Sequence, residues 1–321
     1  MARLVLMLLL SLGSIAFSTV VQKVLIHNGL TTRTRLLTLS KTLKIIAFFL
    51  LNPVAIMSSF WKIRLASPGL VSFPLLGLLS IITGGASALA LVRLLRIPPS
   101  RGASVFVCGM FTNLVTFGGL FCFALFGEPG YLLAQLFAMF NMTLYYTAGF
   151  PVSQNIARGA RNPFSLSTRA LRENPYLVVP LASIVLGILL RASGIERPSF
   201  LEQVVAVIIP LTTVLLGTSI GLTLRLSSIS RYSREIVLVI VIKFVIIPLV
   251  LIPLGTVLGL GRIMHGLPLK VLTVLSFMPV AFTALVPPAI YGFDLDLANS
   301  AWIATTASLI LVVPILFLIL A

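Results

Sequence analysis

Two neutral polar side chains lie deep within a long apolar stretch of the sequence, residues 103–127. Asn113 and Thr116 stand inside it, and the pair Gly118–Gly119 follows them. An amide and a hydroxyl both donate hydrogen bonds to an anion without carrying charge, and paired glycines can interrupt a helix. We interpret these four residues as candidate ligand-binding residues. The alternatives are a bond between packed helices for Asn113 and a bond to its own helix for Thr116.

A second apolar stretch, residues 268–292, carries prolines on both sides of a polar residue. Pro279 precedes Phe282 and Thr283, and the doublet Pro287–Pro288 follows them. Proline lacks a backbone donor and clashes with the preceding turn, so these prolines predict an interrupted helix. The broken ends would present unpaired N–H groups and about half a positive charge, which suits a carboxylate. The alternative is an ordinary kinked helix.

The composition places these stretches in a lipid bilayer. Of the 321 residues, 59% are hydrophobic and 9% are charged, and the mean hydropathy is +1.14. A soluble domain carries about 25% charged residues. A soluble enzyme, a DNA-binding protein and a disordered regulator are therefore excluded, and no nucleic-acid partner is expected. The net charge of +16 comes from basic residues that lie mostly in short loops, where they are topology signals.

Lys243 is the ionisable residue that lies deepest within an apolar stretch. Such a charge can balance a ligand's negative charge or bind a backbone carbonyl; the other interpretation is that its side chain extends to the membrane surface. The seven acids, His27 and His265 lie in loops or near the ends of the stretches. No metal site, cofactor or enzymatic activity is therefore expected. Three further polar residues either line a cavity or, as we favour, bridge helices: Asn52, Asn141 and Tyr145.

A membrane span needs about 20 mostly apolar residues, and the sequence predicts ten of them. Their approximate ranges are 3–26, 36–57, 69–95, 103–127, 131–154, 174–192, 203–224, 235–260, 268–292 and 297–320. Fifteen Lys and Arg residues fall on one side and seven on the other, which predicts that both termini are outside and that the basic loop 155–173 is cytoplasmic. A cleaved signal peptide is the alternative for the first span.

The ten spans divide into two halves of five, residues 1–154 and 174–321. An odd number of spans in each half gives the two halves opposite orientations, as in inverted-repeat transporters. The weak internal match is that Phe126–Gly127 ends span four and Tyr291–Gly292 ends span nine. Interrupted helices at matching places in two such halves indicate a transport site. Chance similarity between Gly- and Pro-rich segments is the alternative.

Several motifs, taken in order, resemble the auxin efflux carrier family over nearly the whole chain. They are Asn52–Pro53 in span two, Thr112–Leu120 and Leu125–Gly130 in span four, Lys243–Pro248 in span eight, and Met278–Pro279, Tyr291–Gly292 and Ala298 in spans nine and ten. The sequence departs from the family pattern at Leu120, where the family usually has proline, and at Thr283, where it often has asparagine. The doublet Pro287–Pro288 is also unusual.

The resemblance implies a secondary carrier with two inverted five-span repeats and a substrate at the crossing of the broken spans four and nine. A bundle of spans 3–5 and 8–10 would move against a scaffold of spans 1, 2, 6 and 7, which could also form a homodimer. The short 155–173 loop resembles bacterial members, which include carriers of malonate, malate and similar acids, whereas plant members export auxin. An inner-membrane location follows from this resemblance.

No buried carboxylate or histidine relay is evident, so we expect a uniporter or an electrogenic anion carrier. One alternative is a sodium-coupled organic-anion symporter of the bile-acid type, which shares the broad architecture. Another is a sensor or scaffold that kept the fold and lost transport.

Overall fold

The computed structural model describes residues 2–62, 68–160, 162–164, 175–224 and 229–320, and most of them are helical. In chain order the α-helices are α1 (Ala2–His27), α2 (Arg33–Ile45), α3 (Asn52–Lys62), α4 (Ser72–Leu94), α5 (Pro99–Met110), α6 (Gly119–Phe137), α7 (Asn141–Leu144), α8 (Phe150–Ala157), α9 (Pro175–Ala192), α10 (Phe200–Gly221), α11 (Ser233–Val241), α12 (Ile247–Val257), α13 (Leu267–Ser276), α14 (Val286–Tyr291), α15 (Leu295–Ala307) and α16 (Leu309–Leu320).

Seven helical stretches within the described residues are long and apolar enough to cross a membrane. They are Leu9–His27, Arg33–Lys62, Ser72–Leu94, Leu114–Ala157, Phe200–Gly221, Ser233–Val257 and Leu295–Leu320. In lipid, each backbone polar group must bond within the protein, and a helix meets this requirement by itself. The protein is therefore an all-helical, multi-pass membrane protein. The described residues form no strand, and one isolated antiparallel bridge joins Thr112 and Val280.

The seven stretches differ from the ten predicted spans for identifiable reasons. Predicted spans four and nine are each divided by a non-helical segment, at 111–113 and at 277–281. Leu114–Ala157 has 44 residues and contains a sharp kink at Gly127, where φ is 68° and ψ is −157°. Much of the predicted loop 155–173 and the first residue of predicted span six lie outside the described residues.

Four short π-helical segments interrupt the regular helices in the described part of the chain, and each contains or directly precedes a residue singled out in the sequence. They are Ile46–Leu51 before Asn52, Leu114–Gly118 with Thr116, Tyr145–Gly149 with Tyr145, and Ile242–Ile246 with Lys243. A π-helical turn inserts an extra residue and often occurs at functional sites. The backbone is thus irregular where the polar side chains lie.

The chain divides into two compact units. The first comprises Met1–Ala66, Val115–Gln135 and Pro175–Leu224. One of its apolar clusters consists of Met7, Ala55, Leu120, Phe123, Tyr131, Val205 and Ile209. Helices α1 and α10 approach closely at Gly217 and Gly221, where glycine leaves room for Ser14 and Ser18. A Cβ at either glycine would overlap the serine it faces. Small residues at helix interfaces are typical of membrane proteins.

The second compact unit comprises Ser67–Leu114, Leu136–Asn174 and Arg225–Ala321. Its helices α4 and α5 also pack through glycines, since a Cβ on Gly84 would overlap the backbone carbonyl of Gly109. This contact fixes the last turn of α5. The non-helical segment 111–113 follows immediately.

Candidate functional site

Two interrupted helices meet in the second unit. Helix α5 ends at Met110 and continues as the extended segment 111–113, while α13 ends at Ser276 and continues as the non-helical segment 277–281. We call these two segments the crossing. Both helices direct their C-terminal ends toward it, where carbonyl groups lack partners within the helix.

Backbone hydrogen bonds tie the two segments of the crossing together. The N–H of Asn113 donates to the carbonyl oxygen of Pro279 at 2.9 Å, and the N–H of Ala281 donates to that of Phe111 at 2.9 Å. These reciprocal bonds form the isolated antiparallel bridge. Asn113 and Pro279, which the sequence placed in separate motifs, are therefore directly bonded through their backbones.

The N–H groups of the crossing all have acceptors within the protein. The Tyr145 hydroxyl accepts from Thr112 at 2.7 Å, and the Thr305 hydroxyl accepts from Val280 at 3.3 Å. The remaining N–H groups bond backbone carbonyls, and Pro279 has none. This completeness is expected for buried backbone. A ligand at the crossing must take its hydrogen bonds from side chains or from the helix ends that follow.

The two breaks have different physical causes. Pro279 lies within the second break and supplies no N–H for a continuous helix. The first break contains neither glycine nor proline, and its extended residues are held by their bonds to the second segment. Gly118 and Gly119, which we expected to interrupt the helix, are helical: Gly118 ends a π-helical segment and Gly119 begins α6. Glycine permits a break without imposing one.

The doublet Pro287–Pro288 also differs from the sequence expectation. It occupies the first turn of α14, so it begins a helix rather than interrupting one. Proline is tolerated in this turn because its missing N–H would have no helical partner there. The break itself lies upstream, at 277–281.

Lys243 holds the broken end of α5. Its side chain is fully buried, and its Nζ donates to the carbonyl oxygen of Gly109 at 2.7 Å and to the Thr112 hydroxyl at 2.6 Å. Gly109 lies in the last turn of α5, where a cation is favoured by the helix dipole. The side chain therefore bonds a backbone carbonyl and does not extend to the membrane surface.

Tyr145 supports the first break from another helical segment. Its ring stacks on Phe111 with centroids 3.9 Å apart, and its hydroxyl donates to the carbonyl of Thr112 at 3.2 Å while accepting from the N–H of Thr112. Asn141 lies one turn earlier and is buried, with no hydrogen-bond partner for its Oδ1. Tyr145 thus bridges two parts of the chain.

Phe282 and Thr283 begin the 3₁₀ turn that follows the crossing. The ring of Phe282 meets Trp302 of α15 edge-on, with centroids 6.3 Å apart. The Thr283 hydroxyl, the Trp302 Nε1 and the Thr306 hydroxyl are buried and have no hydrogen-bond partner. Trp302 and Thr306 were not identified as site residues from the sequence, where a tryptophan near the end of a span resembles a membrane-interface residue.

The remaining candidate residues lie in the first unit. Asn52 and Thr116 line a small cavity of about 10 Å³, which offers room for about one water molecule. Tyr131 donates to Asn52 Oδ1 at 2.8 Å. Gly119 faces Tyr131, since a Cβ there would stand 3.3 Å from the tyrosine ring. Gly118 also belongs to this unit, whereas Asn113, Lys243 and Thr283 belong to the second.

A buried ion-pair network in the first unit was also missed from the sequence. Glu128, just after the Gly127 kink, accepts from Arg197 at 2.9 Å, from Lys62 at 3.3 Å and from Ser59 at 3.4 Å. The side chains of Glu128 and Arg197 are only 8% and 7% exposed. The sequence places Glu128 near the end of a predicted span, and the structure surrounds it there with two cations.

A second charged cluster lies at the start of α5. Arg101 approaches Glu235 at 3.3 Å and Asp294 at 3.7 Å, and Ser104 donates to the backbone carbonyl of Asp294 at 2.9 Å. Loss of hydration raises the pKa of the neighbouring Tyr232, and its hydrogen bond to Asp294 raises that pKa further. The cluster ties the starts of α5, α11 and α15 together.

Among the described residues, no three His, Cys, Asp or Glu side chains are grouped closely enough to hold a metal ion. No family model matches the chain, and no curated protein matches it.

Proposed function

We propose that this protein is a secondary carrier that moves a small organic anion across the inner membrane by alternating access. The substrate is a mono- or dicarboxylate such as malonate or malate, or an auxin-like acid, and it binds at the crossing. In this proposal ten spans form two inverted repeats, 1–154 and 174–321, with both termini outside. The carrier is of the auxin efflux type that the sequence resembles.

The observation that carries the proposal is the bonded crossing of two interrupted helices. Non-helical backbone at membrane depth is tolerated only where protein or a watery cavity surrounds it. Discontinuous helices near the midplane form the substrate sites of many secondary carriers. Asn113 and Pro279 lie in the two breaks and bond each other.

Lys243 supports an anionic substrate. Its side chain is fully buried, and the two acceptors of its ammonium, a carbonyl and a hydroxyl, carry no charge. A buried cation without an ionic partner is costly, and an anion close to it offsets part of that cost. The charge of Lys243 would therefore favour a carboxylate at the crossing over a neutral solute.

The division into units is consistent with a carrier that moves one bundle against another. The first unit contains the segments of predicted spans 1, 2, 6 and 7, and the second contains those of spans 3, 8, 9 and 10. Predicted spans four and five, which the resemblance assigns to the moving bundle, are divided between the units: 103–114 and 136–154 fall in the second, whereas Val115–Gln135 groups with the first.

Transport can be tested by charge movement in proteoliposomes on a solid-supported membrane. The panel is malonate, malate, succinate, pyruvate and indole acetate, each with and without sodium. Asn113→Ala removes the amide at the crossing, and Asn28→Ala is the matched control in an exposed turn. We expect a sodium-independent current with the unmodified protein and with Asn28→Ala, and loss of that current with Asn113→Ala.

Other outcomes would favour the alternatives. A current that requires sodium would indicate a symporter of the bile-acid type. Binding of a panel member without current, and without exchange of labelled substrate, would indicate a sensor. Absence of current, exchange and binding for the whole panel would contradict the proposal.

A further inference from the structure

The hydrogen-bond donors around the crossing differ in whether they already have an acceptor, and a carboxylate needs donors that do not. This inference rests on the proposed function. The N–H groups from Phe111 to Leu114 and from Phe277 to Ala281 already have acceptors. They can bind an anion only if the crossing separates. Side chains beside the crossing that lack acceptors are therefore better candidates.

Helix α15 carries two such donors. Trp302 Nε1 and the Thr306 hydroxyl are shielded from solvent and have no hydrogen-bond partner, and the residues are 1% and 5% exposed. They are four residues apart, so they lie on the same side of the helix. This side faces the second segment of the crossing, because the Thr305 hydroxyl accepts from the N–H of Val280 and the Trp302 ring meets Phe282.

The chemistry of these groups points to an acceptor ligand. An indole N–H is a donor only, so Trp302 cannot be satisfied by another donor. Buried donors are almost always paired in native proteins, and those that are not call for an explanation. Thr283, adjacent to Phe282, adds a third buried hydroxyl without a partner. A carboxylate has about four acceptor positions on its two oxygens, enough for all three donors.

We infer that Trp302 Nε1 and the hydroxyls of Thr306 and Thr283 bind the carboxylate of the transported acid. Helix α15 thus supplies substrate-binding residues that the sequence motifs of the crossing do not include. The three groups are neutral donors, so the carboxylate can bind and dissociate without proton transfer from the protein. Phe282 and the face of Trp302 would contact the carbon skeleton of the acid.

The tryptophan content of the chain allows a direct test. The protein has two tryptophans, so Trp61→Phe leaves Trp302 as the sole indole fluorophore. Malonate, malate, succinate and pyruvate are titrated into this variant, and Trp302→Phe, titrated to concentrations at least about tenfold higher to offset its weaker binding, serves as the complementary control that retains Trp61. We expect saturable change in the emission of Trp302 and none in that of Trp61, whose Nε1 already donates to the carbonyl of Ile195 at 2.8 Å.

Two variants then measure the donors on α15: Thr306→Val keeps the shape of the side chain, whereas Trp302→Phe removes part of the ring system together with the N–H. A hydrogen bond to a charged group corresponds to at least about tenfold in affinity, so Trp302→Phe and Thr306→Val should each weaken carboxylate binding by that factor in isothermal titration. Thr256→Val is the matched control, because its hydroxyl bonds the carbonyl of Ile252 in its own helix. Thermal unfolding and size-exclusion chromatography establish that each variant is folded; if Trp302→Phe does not fold, Thr306→Val decides.

The outcomes separate this inference from the proposed function. Carboxylate current with unchanged affinity in folded Trp302→Phe and Thr306→Val would overturn the inference and leave the carrier intact. Unchanged affinity together with a higher melting temperature would mean that the donors are merely unsatisfied, which also overturns it. If the unmodified protein neither binds nor moves any carboxylate of the panel, the proposed function and this inference fail together.

Discussion

The Nζ of Lys243 lies 2.7 Å from the carbonyl oxygen of Gly109, in the last turn of the helix that the crossing interrupts. These residues are 134 positions apart in the sequence. The bond places a positive charge where unpaired carbonyls end α5, and the second bond of the same ammonium reaches Thr112 within the break. One side chain therefore joins the end of a helix to the extended segment that follows it.

Replacing Lys243 by methionine should abolish anion transport. The change keeps a similar volume but removes the buried charge and its hydrogen bonds to the Gly109 carbonyl and the Thr112 hydroxyl, so the free energy of unfolding should fall by about 1–3 kcal/mol. We expect current in proteoliposomes to fall by at least tenfold. Lys270→Met is the matched control, since Lys270 also donates to a helix-terminal carbonyl, that of Leu320 at 2.9 Å. A current in Lys243→Met as large as that of Lys270→Met and of the unmodified protein would exclude a role for the charge of Lys243.

Replacing Tyr145 by phenylalanine should loosen the first break. The variant retains the stack on Phe111 but leaves the N–H and carbonyl of Thr112 without the hydroxyl. An unsatisfied buried group costs about 1–3 kcal/mol, so the melting temperature in detergent should fall clearly. Tyr291→Phe, at a partly exposed position, should melt like the unmodified protein. A melting temperature unchanged by Tyr145→Phe would mean that its bonds do not hold the break.

Breaking the Glu128–Arg197 pair should destabilise the first unit. Removal of one partner leaves a buried charge without compensation, which costs about 3–5 kcal/mol. Arg197→Met and Glu128→Gln should each lower the melting temperature strongly, and the double variant should lose less than the sum of the two. Lys62→Met should have a small effect, because the side chain of Lys62 is 40% exposed and its ion pair is screened. Additive losses would show that the pair is not coupled.

A methyl group at Gly84 should disturb the support of the crossing. Its Cβ would overlap the Gly109 carbonyl, the acceptor of Lys243, and overpacking of this kind costs about 1–3 kcal/mol. Gly84→Ala should therefore lower both the melting temperature and the current. Gly13→Ala is the control in α1, where a Cβ meets nothing within 4 Å and alanine should stabilise the helix by about 0.5–1 kcal/mol. Equal melting temperatures for the two variants would contradict the close packing of α4 and α5.

Local sequence patterns indicated the membrane location, the helical class and one of the two breaks. Long apolar runs and few charges indicate membrane-spanning helices, because lipid offers the backbone no hydrogen-bond partners. Pro279 disfavours a continuous helix through its own covalent structure, independently of tertiary contacts. The depth of Lys243 in its apolar stretch was also evident, although its acceptors were not. The inverted repeats and the ten spans remain predictions, because internal matches between apolar segments are weak.

Tertiary structure alone decided the first break, the partners of the buried polar groups and the donors on α15. Segment 111–113 contains no helix-breaking residue and is extended because it pairs with 279–281. Glu128 is buried because Arg197, 69 positions away, compensates its charge. Hydrophobicity and backbone propensity act between near neighbours in sequence and can therefore be recognised from the residues themselves. Hydrogen bonds and ion pairs between distant segments depend on which helices pack together, so their geometry exists only in the folded chain.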